Sequence, residues 1–152
     1  MKALLLQANI NHSARAQDLL MQHLAEWNID LAVVAEPYRV LQKDNWMGDK
    51  VGLVTIIGKA ERGALPLSLM GKGEGFVLVK WGEAIVVGVY FSPNRDLAQF
   101  EEYLGRLADE IDRHLPGKVL VMGDLNAKSD AWGSPVTNAR GKVLEEWGAQ
   151  PF

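Results

Sequence analysis

The chain has 152 residues, 48% of them apolar and 23% charged, with 16 Lys and Arg against 19 Asp and Glu for a net charge of −3. That balance excludes a strongly basic protein that wraps a polyanion, so any nucleic-acid contact must come from a local patch. The absence of Cys excludes disulfide staples, thiolate metal sites and Cys nucleophiles.

The length suits one domain that buries roughly 68–70% of its unfolded surface. No apolar run reaches the roughly 18 residues of a membrane span, and the opening Met1–Asn9 reads as a strand rather than a signal peptide. Residues 2–8 are too short an apolar run for a helix and predict a buried strand. Ser13 offers a cap, and Ala16, Leu19, Leu20, His23, Leu24 and Trp27 at helical spacing predict an amphipathic helix over 14–27. Residues 30–35 read as a second buried strand, so the opening is a parallel βαβ unit. Strands at 51–57, 76–81 and 84–91 follow with no helix between them. The tight Trp81-Gly82-Glu83 link implies antiparallel neighbours and a mixed sheet. The Gly-rich stretch 71–75 lacks a following helix and reads as turn chemistry, not as a phosphate cradle.

Asp96 and Gln99 form a capping box for the longest helix, whose stripe is Leu97, Phe100, Leu104, Leu107, Ile111 and Leu115. Its outer face carries Glu101, Glu102, Asp109, Glu110 and Asp112, an ordinary solvated surface. Pro116-Gly117 stops it, residues 118–122 form a further buried strand, and a short helix is expected from about Asn138 to Trp147.

Four of the apolar strands end in polar residues. They supply Gln7 and Asn9, then Glu36, then Tyr90 with Ser92 and Asn94, and last Asp124 and Asn126. Sites in α/β sheets sit at the carboxyl ends of strands, so Asn9, Glu36, Tyr90, Asp124 and Asn126 are expected to converge on one rim. Two carboxylates with amide oxygens suit Mg²⁺ or Mn²⁺, and metal-assisted attack of water on a phosphodiester is the natural chemistry. Each residue also has a plain reading. Glu36 could be a cap or an ion-pair partner, Gly-Asp-Leu-Asn an Asx-turn, and Tyr90 a half-buried strand aromatic. Only the joint pattern argues for a site.

Gln7-Ala8-Asn9, Ala35-Glu36-Pro37-Tyr38, Tyr90-Phe91-Ser92-Pro93-Asn94 and Gly123-Asp124-Leu125-Asn126-Ala127 stand in an order that resembles the endonuclease/exonuclease/phosphatase superfamily. The Trp132-Gly133 after the last motif is similar to its retrotransposon branch, the endonuclease domain of non-LTR elements that insert into arthropod ribosomal DNA. The resemblance covers the whole chain. It implies a mixed-sheet α/β sandwich of the DNase I-like or exonuclease III-like type, and a Mg²⁺-dependent (or Mn²⁺-dependent) DNA endonuclease. In retrotransposons the nick primes reverse transcription, so the implied partners are DNA and a reverse transcriptase domain in the parent polyprotein, acting in the nucleus. By the same resemblance Glu36 is the principal metal-binding glutamate and Asn9 organises the metal. Asp124 aligns or activates the nucleophile, Asn126 and Tyr90 hold the scissile phosphate, and Asn94 lies near the DNA backbone. Lys128 and Arg140 are the candidate DNA-binding cations, since the long helix is acidic.

The chain departs from the family at its end, where a closing Ser-Asp-His motif is expected and is not found. None of the three histidines convincingly replaces the closing one: His23 and His114 fall on the helices, and His12, in the loop after Asn9, is a weak candidate to approach the rim. The expectation is an N-terminal portion of the domain with a truncated second sheet, an exposed apolar edge and impaired cutting. Two alternatives stand beside the endonuclease: a remnant that keeps the scaffold with weak metal or DNA binding, and a phosphatase of the same superfamily.

Overall fold

The structure is a computed structural model that describes residues 3–126. Lys128, Trp132, Gly133, Arg140 and the expected helix at 138–147 lie outside the described residues. In chain order the elements are β1 (Leu5–Asn9), α1 (Ala14–Glu26), β2 (Leu31–Ala35), β3 (Trp46–Gly48), β4 (Val54–Gly58), β5 (Leu67–Gly73), β6 (Phe76–Trp81), β7 (Ala84–Tyr90), α2 (Leu97–Asp112) and β8 (Lys118–Asp124). They form two four-stranded sheets, ordered β1-β2-β4-β3 and β5-β6-β7-β8. The described residues divide into two compact units, 3–90 with 117–123, and 91–116 with 124–126.

The first unit is a sandwich. Alternate side chains of β2 and β4 point to opposite faces. Leu31, Val33, Ala35, Val54 and Ile56 meet Leu67, Val77, Val79, Val86, Tyr90 and Met122 of the other sheet. Ala32, Val34 and Ile57 face the other way, with Ile10, Leu20 and Trp46 and the partly buried Ala16, Met21 and Leu24 of α1. Burial on both faces explains why β2 and β4 read as unbroken apolar runs. It also stabilises each large side chain by about 1.5–3 kcal/mol. The first sheet is mixed: β1 and β2 are parallel, while β2 with β4 and β3 with β4 are antiparallel.

Several expectations need correction. β1 has one neighbour among the described residues, and its side chains alternate between exposed and half-buried, with Leu4 and Leu5 exposed, so one face is covered and the strand is not buried. β8 is the last strand of its sheet among the described residues, and Met122 is its buried residue. On α1 the covered face runs through Gln17 and Leu20, whereas Leu19 and Trp27 are exposed. Residues 19, 23 and 27 form a neighbouring stripe at four-residue spacing, and His23 stacks on Trp27 instead of entering the core. The strand expected at 51–57 begins only at Val54.

β3 and β5 were not legible. β3 has three residues, and β5 contains the Gly71-Lys72-Gly73 that looked like a loop. Those glycines pair with Leu78 and Phe76 after a register shift between Leu69 and Gly71, and the turn is Glu74-Gly75. β6 and β7 pair antiparallel through the Gly82-Glu83 turn, where Gly82 has φ +61. A glycine at the first turn position is what this tight hairpin geometry requires. The strand at 118–122 joins the same sheet as 76–90, so the second sheet has four strands among the described residues.

The second unit is organised by α2. Asp96 and Gln99 make the expected capping box. Phe100, Tyr103, Leu104 and Leu107 are buried, and Phe91 packs on Phe100 and Tyr103 at ring distances of 5.2 and 5.0 Å. Leu115 lies beyond the helix end and is exposed, contrary to its place in the expected stripe.

Asp49, buried at 7% exposure, ties the two sheets of the first unit together. Its Oδ1 accepts from Leu53 N (2.8 Å) and Val54 N (3.4 Å), and its Oδ2 from Gly75 N (2.7 Å). Hydrogen bonds to a charged group contribute about 1.5–3 kcal/mol each. Asp49→Ala is therefore expected to lower unfolding stability by about 3 kcal/mol in urea titration, and Asp49→Asn by roughly half as much.

Candidate active site

The parallel register of β1 and β2 runs from Leu5↔Leu31 to Asn9↔Ala35, so both strands end at one level. Ile10 N donates to Ala35 O across that end (3.2 Å). Immediately beyond it Asn11, His12 and Glu36 adopt φ values of 49, 58 and 50. A left-handed non-glycine residue costs roughly 1–2 kcal/mol and persists where its surroundings over-determine it. Here Glu36 N donates to Leu53 O and Glu36 O accepts from His12 N, both at 2.8 Å. The strained turn aims the Glu36 side chain away from the β2 ladder.

Three donors converge on that carboxylate. Asn9 Nδ2 donates to Oε1 at 3.0 Å, and the buried Tyr90 hydroxyl donates to the same oxygen at 2.8 Å. His12 Nε2 lies 3.2 Å from Oε2, while His12 Nδ1 lies 3.1 Å from Pro37 O. Both imidazole nitrogens thus face oxygen acceptors. Burial pushes the Glu36 carboxyl up, but the bonds from Asn9 and Tyr90 and the charge of His12 outweigh it, and the net direction is below the ordinary value of 4.5. Asn9 Oδ1 in turn accepts from Asn11 N at 2.9 Å.

The donor set bears on a metal. Mg²⁺ binds through one or two carboxylates, keeps several waters and takes substrate phosphate oxygens. Glu36, ionised and 17% exposed at its side chain, fits that role. His12, on Oε2, has a half-exposed side chain and a way out to solvent. No group of three or more His, Cys, Asp or Glu that could cage an ion exists among the described residues. A single ionised carboxylate suits an ion that completes its shell with waters and substrate oxygens.

Of the five residues expected on one rim, Asn9, Glu36 and Tyr90 meet within the first unit. Asp124 and Asn126 belong to the second unit. There Asp124 Oδ1 accepts from Asn126 N (2.8 Å), Asn126 Nδ2 donates to Phe91 O (2.7 Å), and Phe91 N donates to Asp124 O (3.0 Å). The Asx-turn reading of Gly-Asp-Leu-Asn is therefore realised, with Asn126 at φ 53. Asn94, in the same unit, donates its backbone N–H to Ser92 Oγ. Gln7, at the first of the polar strand ends, accepts from Gly123 N at 2.9 Å. A Cβ on Gly123, whose φ is +133, would sit 2.0 Å from Val89 O, so the approach to Asp124 demands glycine.

Sequence reasoning missed Gln17. It is buried, and it bonds the backbone of Tyr38 and Arg39. Its polar side chain on the otherwise apolar face of α1 was the available signal. His12 was placed in the loop after Asn9 as a weak candidate for the rim, and not as a partner of Glu36.

The fold has known counterparts. A family described as Endonuclease-reverse transcriptase matches residues 84–150. The endonuclease domain of TRAS1, a telomere-specific non-LTR retrotransposon, aligns with TM-score 0.71 and 25% identity, over 93% of this chain and 69% of that one. The chain has the endonuclease/exonuclease/phosphatase superfamily fold. Two more distant structures share it. A 3′ phosphatase from Neisseria bound to a product DNA hairpin aligns at TM-score 0.58 and 15% identity, over 92% of this chain and 69% of that one. An AP endonuclease from Archaeoglobus fulgidus aligns at TM-score 0.55 and 16% identity, over 92% and 67%. No curated protein matches the sequence.

The depressed Glu36 value has a sign. Ionised Glu36 contributes stability that is fully present above about pH 4.5 and is lost as pH falls through the folded-state value. The stability advantage of the native chain over Glu36→Gln, measured in urea, should shrink on acidification through that window. Tyr90→Phe removes one lowering bond, so the Glu36 carboxyl should titrate higher when followed by side-chain carbon NMR.

Proposed function

We propose that this chain is the endonuclease domain, or part of it, of a non-LTR retrotransposon, a Mg²⁺-dependent enzyme that nicks DNA. The observation that carries the reading is the ionised Glu36, held in a left-handed turn at the end of a parallel strand pair by Asn9 and Tyr90. The likeness to the TRAS1 endonuclease domain supports it. Glu36 would hold the ion, and Asn9 would fix the carboxylate through Oε1. The chemistry a bound Mg²⁺ supplies there is neutralisation of a phosphate oxygen. Tyr90 has one hydroxyl proton and gives it to Glu36, so its first task is to orient that carboxylate. Asp124 would orient or deprotonate the attacking water. Asn126 would donate to the phosphate as charge develops on it. Asn94, Lys128 and Arg140 would contact the DNA backbone, with binding that weakens steeply in salt. Such a domain would work beside a reverse transcriptase, in the nucleus.

One observation favours a second reading, a scaffold that binds DNA or metal weakly without cutting. His12 Nε2 already occupies Glu36 Oε2, so protein donors reach both carboxylate oxygens. Two measurements separate the readings. Mn²⁺ binding by calorimetry should weaken at least roughly tenfold in Glu36→Gln, and equal affinities would remove Glu36 as the ligand. Nicking of supercoiled plasmid in Mg²⁺, by the chain or by a chimera carrying the closing strands of a related element, should fall about 10²–10⁴-fold in Asp124→Ala. Metal binding with no nicking in either form would leave the scaffold.

A further inference from the structure

We propose that Gln17 is a positioning residue for Glu36, acting through the turn Glu36–Arg39; this rests on the reading of Glu36 as the metal-holding carboxylate. Gln17 lies in the first turns of α1 and is buried, an unusual place for an uncharged amide unless its bonds are made. Its Oε1 accepts from Tyr38 N at 2.8 Å and Arg39 N at 3.2 Å, and its Nε2 donates to Arg39 O at 3.1 Å. The carboxamide thereby offers Arg39 the donor–acceptor pair that a neighbouring strand would offer. Turn residues have no ladder of their own, so a side chain substitutes for one.

The bonds belong to a longer seam. Ser13 caps α1 by accepting from Ala16 N, and Gln17 N donates to Ser13 O. One helical turn therefore carries Gln17 rigidly beside His12. His12 N and Nδ1 fasten Glu36 O and Pro37 O, and Gln17 fastens Tyr38 and Arg39. The turn that starts with left-handed Glu36 is pinned at four consecutive residues by the single segment 12–17. A strained backbone holds its conformation only while such pins remain. Loss of Gln17 unfastens Tyr38 and Arg39 and leaves the turn held only at Glu36 and Pro37, so the direction of the Glu36 carboxylate is less sharply fixed.

A buried Gln could serve stability alone, so the test needs a control that separates the two roles. In the full 152-residue chain, Gln17→Met keeps the length and packing volume and makes none of the bonds. Gln17→Glu retains an acceptor for the two amides. Leu20→Ala, on the same helix, removes core packing without touching the turn. Hydrogen exchange is read at the His12, Tyr38 and Arg39 amides, and Mn²⁺ affinity by calorimetry. Gln17→Met should speed exchange at all three amides and weaken Mn²⁺, each by roughly tenfold, the scale of a lost hydrogen bond. Gln17→Glu should recover part of both. Leu20→Ala, compared at equal global stability, should change neither. Unchanged His12 protection in Gln17→Met, or equal effects in Leu20→Ala, would overturn the proposal. If the native chain binds no Mn²⁺, the metal reading of Glu36 fails by itself, and the amide exchange still decides for or against Gln17.

Discussion

The constraint on which the site depends is the parallel pairing of β1 with β2. Two parallel strands must finish at the same end of the sheet, so the polar residues that follow each of them meet there. Asn9 closes one strand and Glu36 follows the other; the ladder then brings Asn9 Nδ2 within 3.0 Å of the Glu36 carboxylate. An antiparallel pairing would have sent the two residues to opposite ends. The long crossover that parallel strands require is α1, which returns the chain and also delivers Gln17 and His12 to the Glu36 turn.

The apolar core makes that ladder rigid. β2 is packed on both faces, against the second sheet on one side and α1 on the other, and none of its five residues is more than 1% exposed. A strand so enclosed cannot slip by one residue without exchanging its two faces. Register is then transmitted to the rim as position. Tyr90 belongs to the opposite sheet, yet its ring lies in the core between the sheets and its hydroxyl reaches Glu36 at 2.8 Å. The sandwich thus supplies the site with one donor from each layer.

At the rim the chain accepts local strain and satisfies polar groups in exchange. Asn11, His12 and Glu36 are left-handed without being glycine, and each lies in a segment bonded from more than one side. The carboxylate is kept ionised by neutral donors and by a histidine, not by a buried ion pair. The His12 partner of that carboxylate is half exposed, so one side of Glu36 faces solvent through it.

The sequence by itself determined the strands with continuous apolar runs, both helices with their Ser13 and Asp96 caps, and the polar residues that end the strands. Those features follow from neighbours along the chain: periodicity, capping and turn chemistry. It did not determine which faces of β1 and β8 are covered, and so both looked buried; exposure depends on packing partners the local pattern does not name. β5 stayed hidden because its glycines carry no side-chain signal, and its pairing comes from β6. Gln17 and His12 were visible only as a polar residue on a helix and a loop histidine. Their roles at Glu36 were decided by the crossover of the βαβ unit, which brings residues 12 and 17 against residues 36–39 from far along the chain.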